Sequence, residues 1–252
     1  MNMRDDRLAI RESSPAMSVR PKMAVHDLEM VSALRGVPAL QALPQAVMTR
    51  LATAAIRLDL IRGESLFGAE AHCAGLYVVA SGRIMLSVGS AEAGHKVIRL
   101  AEAGDVLGLS ATLLGLDTFA SAEALVDSTV VLLTRETLLD RAARDVSLAL
   151  ALANIGARQS RNLAIDLESV SLQSGRERIV NYLLANATTG PAGPLPVLLS
   201  AKKSIIASRL SVTPEYFSRT LHELISAGAI AVNGRQIVIL DAVCLRNSDH
   251  AA

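Results

Sequence analysis

The chain has 252 residues, of which 51% are apolar and 2% aromatic, with no tryptophan, and its formal net charge is +1. That length and apolar content suit one large domain or two modest ones with cores built from Ala, Leu, Val and Ile, and the shortage of rings argues against single-strand nucleic-acid binding by stacking. Near-neutral charge excludes a globally basic surface, and the lack of a signal-peptide core or of any apolar run near the ~18 residues of a membrane span predicts a soluble, cytoplasmic chain with no membrane partner.

Residues 1–24 mix charges, Pro and Ser without a lasting period and are expected to form a flexible arm. Residues 25–134 open with a helical unit in which Leu34, Val37, Leu40 and Leu43 precede Pro44 and a helix carrying Val47, Leu51 and Ala55. Short β-type runs follow at 57–61, 76–79, 83–88, 96–100, 105–107 and 128–133, separated by Gly63, Gly75, Gly82, Gly89, Gly94 and Gly104. This spacing predicts a β-sandwich or barrel whose interior can hold a small ligand. Residues 135–172 read as helical, with few breakers beyond Gly156. In this stretch Leu148, Leu152, Ile155, Gln159, Leu163, Asp166 and Val170 recur by threes and fours, a heptad-like seam that predicts a dimer helix. Ala149, Ala153 and Ala157 fit equally well a helix lying on its own β-domain.

Residues 173–252 begin with a break at Ser174-Gly175, an amphipathic helix at 176–184, a loop at 188–194 and a strand-like run at 197–199. Two short helices joined by a tight turn come next. Ser200 is expected to cap the first, whose Ile205, Ile206 and Leu210 fall at helical spacing, and Ser211-Val212 interrupts the pattern. Thr213-Pro214-Glu215 is a second start signal: a side-chain oxygen for orphan N–H groups, a ring preset for the first helical position, and a carboxylate at the positive end of the dipole. The second helix runs to about Ala227, with Phe217, Leu221, Leu224 and Ile225 inward and Glu215, Ser218, Arg219 and His222 outward. A helix-turn-helix presents polar side chains to base edges in the major groove in this way.

Apolar runs around Asn233-Gly234 predict a hairpin, completing a winged helix with Arg235 placed to reach a phosphate. Arg219 can offer a bidentate fork to guanine, Glu215 can accept from the cytosine amine, and Ser218 can meet a thymine or adenine edge. Ser200, Lys202, Lys203, Thr213, Tyr216, His222 and Arg235 are the expected DNA-backbone contacts. The charge is locally suited to this, with eight Lys or Arg against four Asp or Glu between Arg176 and Arg246. No nucleophile elbow, phosphate loop, carboxylate pair or histidine cluster marks an enzyme. Cys73 and Cys244 are too few for a four-cysteine zinc or iron–sulfur site and are expected as free thiols.

In order, the helical arm, glycine-punctuated β-roll, long helix and winged helix resemble the Crp/Fnr superfamily of bacterial transcription regulators over about residues 28–242. In the β-roll the similar stretches are Arg62-Gly-Glu-Ser-Leu-Phe67, Gly75-Leu-Tyr-Val-Val79, Ser81-Gly-Arg83 and Ala103-Gly-Asp105 followed by Gly108. Pro214-Glu-Tyr-Phe-Ser-Arg219, with Ala227-Gly-Ala-Ile230 and Asn233-Gly-Arg235, is similar to the reading head of the nitrate-respiration and nitric-oxide-responsive (Dnr/Fnr-like) branch. The resemblance implies an α+β fold made of a cyclic-nucleotide-binding-like jelly roll, a long dimerisation helix and a C-terminal winged helix-turn-helix.

The same resemblance implies an effector domain, here with departures. Members that bind cyclic nucleotides carry a glutamate after the glycine matched by Gly108 and an Arg-Ser pair about eleven residues on, where this chain has Leu109, Phe119 and Ala120. Apolar side chains offer a buried phosphate neither charge nor donors, which argues against cyclic AMP. Nor does the arm have the cysteines of the oxygen-sensing iron–sulfur branch. Haem stays open, with His26, His72 and His95 as candidate ligands. His72 beside Cys73 has no second ligand pair to close a metal site.

The function expected is a homodimeric regulator that reads an inverted repeat of TTGAT-like half-sites in double-stranded DNA, with RNA polymerase as a further partner and the β-roll as signal domain. A ligand-binding β-roll acting through protein partners is the alternative.

Overall fold

The computed structural model describes residues 27–90, 94–188 and 194–247. The expected arm at 1–24, His26 and most of the loop at 188–194 lie outside the described residues. The chain opens with α1 (Asp27–Arg35), a 3-10 turn (Pro38–Leu40) and α2 (Gln45–Thr53). Eight strands follow: β1 (Ile56–Leu60), β2 (Ser65–Phe67), β3 (Gly75–Ser81), β4 (Arg83–Ser90), β5 (Gly94–Glu102), β6 (Val106–Leu107), then α3 (Leu109–Leu114), β7 (Ser121–Ala124) and β8 (Ser128–Thr134). They form two antiparallel four-stranded sheets, ordered β1-β8-β3-β6 and β2-β7-β4-β5.

Strand periodicity explains why β3 and β8 read as continuous apolar runs. Their side chains alternate between two buried faces. Tyr77, Val79, Val130 and Leu132 point between the sheets, where Tyr77 meets Phe67 at 5.3 Å between ring centroids. Leu76, Val78, Val131 and Leu133 point the other way, onto Leu34, Leu40, Leu51 and the helices after the roll. The strands β2 and β7 stand outside the predicted runs. Ser-Ala-Glu-Ala has weak strand propensity, and β7 is held by its pairing with β4 and β2 and by the burial of Ala122 and Ala124.

The helical stretch after the roll is two helices, α4 (Arg135–Arg144) and α5 (Val146–Leu172). Asp145 makes the break. Its carboxylate accepts Ser147 N–H at 3.0 Å, Leu148 N–H at 3.2 Å and the Ser147 hydroxyl at 2.5 Å, capping α5. These hydrogen bonds, the Ser147 hydroxyl first, hold its pKa below the ordinary carboxylate value.

The expected dimer seam is corrected in its first half. Leu148, Leu152 and Ile155 are buried in the core shared with the N-terminal helices and β-roll, and Gln159 donates its side-chain amide to the Val106 carbonyl at 2.9 Å. Those residues pack on their own β-domain. Uncovered on the same helix are Ala149, Ala153, Ser160, Leu163, Leu167 and Val170, with Gly156 half-buried among them. They too are spaced by fours and threes, and Leu163 and Val170 belong to both seams.

The C-terminal unit comprises α6 (Gly175–Ala185), β9 (Leu195–Leu198), α7 (Lys203–Arg209), α8 (Pro214–Ser226), β10 (Ile230–Asn233), β11 (Gln236–Ile239) and α9 (Ala242–Asn247). Ser174 and Glu177 form a reciprocal capping box that starts α6 directly after α5. Ile179, Leu183, Ile206, Phe217, Leu221, Leu224, Ile237 and Leu245 fill one core. The hairpin is joined by β9 into a three-stranded wing, ordered β10-β11-β9.

This unit rests on the β-roll of its own chain. Ser208 Oγ accepts Val97 N–H at 2.9 Å, and the Lys96 ammonium donates to the carbonyls of Ser208 and Arg209 at the end of α7. The Arg83 guanidinium reaches the Ser200 carbonyl, and Arg209 holds both oxygens of Asp166 on α5 at 2.8 and 2.7 Å. Burial, followed by the neighbouring Arg209 and Arg178, lowers the Lys96 pKa.

Candidate nucleic-acid interface

Thr213 accepts the Tyr216 N–H at 3.2 Å on its hydroxyl and so caps α8, with Pro214 at the first helical position and Glu215 in the first turn. Phe217, Leu221 and Leu224 are fully buried beneath it. Residue 225 is a correction: Ile225 is 41% exposed rather than inward, because it falls one residue beyond the Leu221 and Leu224 stripe. On the opposite face, Glu215, Ser218, Arg219 and His222 follow the i, i+3, i+4, i+7 spacing of one helix side. Glu215, Arg219 and His222 are exposed and Ser218 is half-buried. His222 Nδ1 lies 2.9 Å from the Ser218 carbonyl. Among the described residues, neither Glu215 nor Arg219 is in an ion pair, so both chain ends remain available.

The turn between α7 and α8 is tight enough to place Ser211 at φ +57°, a conformation that costs a non-glycine residue energy. Arg178 of α6 braces it, donating to the carbonyls of Leu210 at 2.8 Å and Ser211 at 3.2 Å. Arg176 likewise ties α6 to α8 through Glu223 at 2.8 Å. Neither arginine figured among the sequence candidates, since an arginine that braces a turn looks in sequence like any surface cation.

Other predicted residues are placed differently. Ser200 does not cap α7, which begins two residues later than that assignment required, at Lys203, with Lys202 in the cap position and no side-chain hydrogen bond. The Ser200 carbonyl instead takes Arg83, and its hydroxyl lies 3.4 Å from the Tyr182 hydroxyl. Lys202 is exposed and Lys203 half-buried. The wing turn is also shifted by one residue. Asn233 pairs with Gln236, so the two-residue loop is Gly234-Arg235, with Gly234 at φ +59°. Arg235 is exposed at the tip but donates Nε and Nη2 to the Leu199 carbonyl at 3.2 and 2.7 Å.

In the β-roll, Leu109 and Ala120 are buried, and Phe119 is 70% exposed, with Leu113, Leu114 and Leu116 exposed as well. These residues supply no cation where a cyclic nucleotide's phosphate would need one, so they do not fit that ligand. Haem does not fit either histidine within the described residues: the His72 side chain is 83% exposed, 3.7 Å from Asp117, and His95 is exposed on β5 beside α7. Among the described residues no group of three or more His, Cys, Asp or Glu can hold a metal ion, and no helix is long and apolar enough to cross a membrane.

Residues 58–145 match the cyclic nucleotide-binding domain family, and residues 177–248 match the Crp-like helix-turn-helix domain family. The nitrogen fixation regulation protein FixK of Azorhizobium caulinodans is 28% identical over 85% of this chain and 87% of its own. The cyclic AMP receptor protein of Thermus thermophilus is 28% identical over 68% of this chain and 77% of its own. Among solved structures, FixK2 of Bradyrhizobium japonicum superposes with a TM-score of 0.67 at 26% identity, covering 79% of this chain and 98% of that one. With a nucleotide-binding-type β-roll, a long connecting helix and a Crp-like helix-turn-helix in one continuous order, the chain belongs to the Crp/Fnr family of DNA-binding transcription regulators.

Proposed function

We propose that the protein works as a homodimer that reads an inverted repeat of TTGAT-like half-sites in duplex DNA. The observation carrying this reading is the outward face of α8, where Glu215 and Arg219 are exposed and Ser218 half-buried over a closely filled core. Arg219 forks to guanine O6 and N7, Glu215 accepts from a cytosine amine, and Ser218 meets the neighbouring edge. Lys202, Lys203, Thr213 and His222 surround that face and supply phosphate contacts, with Arg235 at the wing tip.

A second copy would lie along the uncovered seam of α5, setting the two reading helices about one helical turn of DNA apart, roughly 34 Å. The β-roll acts as signal domain through its contacts with α5 and α7, and RNA polymerase is the partner at the promoter. Its effector is not a cyclic nucleotide held in the usual manner, given Leu109, Phe119 and Ala120.

The test is a fluorescence-anisotropy titration with a duplex carrying the inverted repeat and with a scrambled duplex, repeated across salt concentrations. The repeat should bind at least about 10³-fold tighter, with affinity falling steeply as salt rises. Equal affinity for both duplexes would overturn the reading and favour a β-roll that works through protein partners.

A further inference from the structure

We propose that Tyr216 is a positioning residue for Arg219, fixing the reading guanidinium relative to the start of α6, rather than a contact to the DNA backbone. This rests on the assignment of α8 as the reading helix. The Arg219 guanidinium carbon lies 5.3 Å from the centroid of the Tyr216 ring, within the range of a cation–π contact, and the two residues are one turn apart on the same side of α8.

The ring is also closely approached by the start of α6. Gly175, the first residue of α6, faces it so closely that a Cβ there would lie 2.9 Å from Tyr216 Cε1 and 3.0 Å from Val212 Cγ1. Only a residue without a side chain lets the ring sit there. Within the protomer the contacts of Tyr216 with Arg219 and with the start of α6 are made by its ring.

A physical line therefore runs from the capping box at Ser174, where α5 ends, through Gly175 and the Tyr216 ring to Arg219. A long exposed arginine loses several rotors on docking to a base. The ring reduces that loss by holding the guanidinium plane before DNA arrives. This benefit is felt only where the guanidinium is used in a fixed geometry, at the G·C pair.

The experiment compares wild-type protein with Tyr216→Phe, Tyr216→Leu and Gly175→Ala on three duplexes: the inverted repeat, the repeat with its G·C pairs changed to A·T, and a scrambled sequence. Tyr216→Phe keeps the ring and should bind the repeat within about twofold of wild type, with an unchanged salt slope. Tyr216→Leu should lose about 5- to 30-fold on the repeat, two half-sites counted together, and almost nothing on the other two duplexes. Gly175→Ala displaces the ring from behind and should give the same selective loss.

A Tyr216→Phe variant as weak as Tyr216→Leu, with a shallower salt slope, would overturn the inference in favour of a phosphate contact by the hydroxyl. Uniform weakening on all three duplexes by Tyr216→Leu would overturn it too. Wild-type protein that failed to distinguish the repeat from the scrambled duplex would remove the DNA-reading assignment and this inference with it, whereas wild-type discrimination retained in full by Tyr216→Leu overturns this inference alone.

Discussion

At the residue scale, two arginines of the candidate nucleic-acid interface have different surroundings and should behave differently on substitution. Arg219 is exposed and free of ion pairs among the described residues, with its guanidinium over an aromatic ring. Arg235 spends two of its nitrogens on the Leu199 carbonyl, which leaves Nη1 for an outside acceptor and also stitches the wing tip to the end of β9. Replacing Arg219 by Ala should cost about 1–3 kcal/mol per half-site, concentrated on the G·C pair. Arg235→Ala should weaken binding to every sequence alike and reduce the salt slope by about one phosphate contact per protomer. Titrations on matched, G·C-changed and scrambled duplexes check both. A sequence-independent loss in Arg219→Ala would show that its role is electrostatic only.

At the element scale, the ends of helices carry much of the arrangement. The break between α4 and α5 depends on Asp145, whose carboxylate caps α5 and whose pKa is held below its ordinary 3.8 by the Ser147 hydroxyl and the Leu148 and Ser147 N–H groups. A depressed carboxylate stabilises the fold at pH values above its unfolded pKa, and the contribution disappears as pH falls through the lower folded value. Asp145→Ala should therefore lower the melting temperature by about 2–4 °C at neutral pH, and the gap to wild type should close as the pH drops below about 4. Thermal unfolding followed by circular dichroism over that range measures it; a gap that widened in acid would contradict the capping role.

Element boundaries also mark where sequence reasoning reached and where it stopped. Thr213-Pro214-Glu215 was legible because the chemistry of a helix start is local, and the β-roll was legible because β3 and β8 bury both faces and β1 carries strand-type residues. Ser-Ala-Glu-Ala in β7 carries no such signal, since its strand state comes from neighbours distant in sequence. The cap at Ser200 failed for a related reason: Ser200 is engaged by Arg83 and lies by Tyr182, and nothing local announces either contact. In its first half the uncovered seam of α5 lies one residue away from the one its apolar spacing predicts. Both frames have heptad spacing, and which one meets the β-roll is decided by tertiary packing, where Leu148, Leu152 and Ile155 are larger than Ala149, Ala153 and Gly156.

At the scale of the whole molecule, the uncovered face of α5 is where the proposed second copy would lie. Leu163, Leu167 and Val170 are 64%, 68% and 47% exposed, and they continue a row begun by Ala149, Ala153 and Gly156. Small residues in the first half would let two helices approach closely, while leucines in the second half supply the area that holds them together. Leu167→Asp places a charge on this row without touching the core. It should leave the melting profile of the protomer nearly unchanged, shift sedimentation from dimer to monomer, and abolish tight binding to the inverted repeat while sparing weak, salt-sensitive binding to any duplex. Leu152→Asp serves as the contrast. Leu152 is buried between α5, the N-terminal helices and the β-roll, so the same charge should unfold the protomer rather than separate a folded pair. If Leu167→Asp stayed dimeric with full affinity, the second copy would have to dock elsewhere, and the spacing of the two reading helices would need another origin.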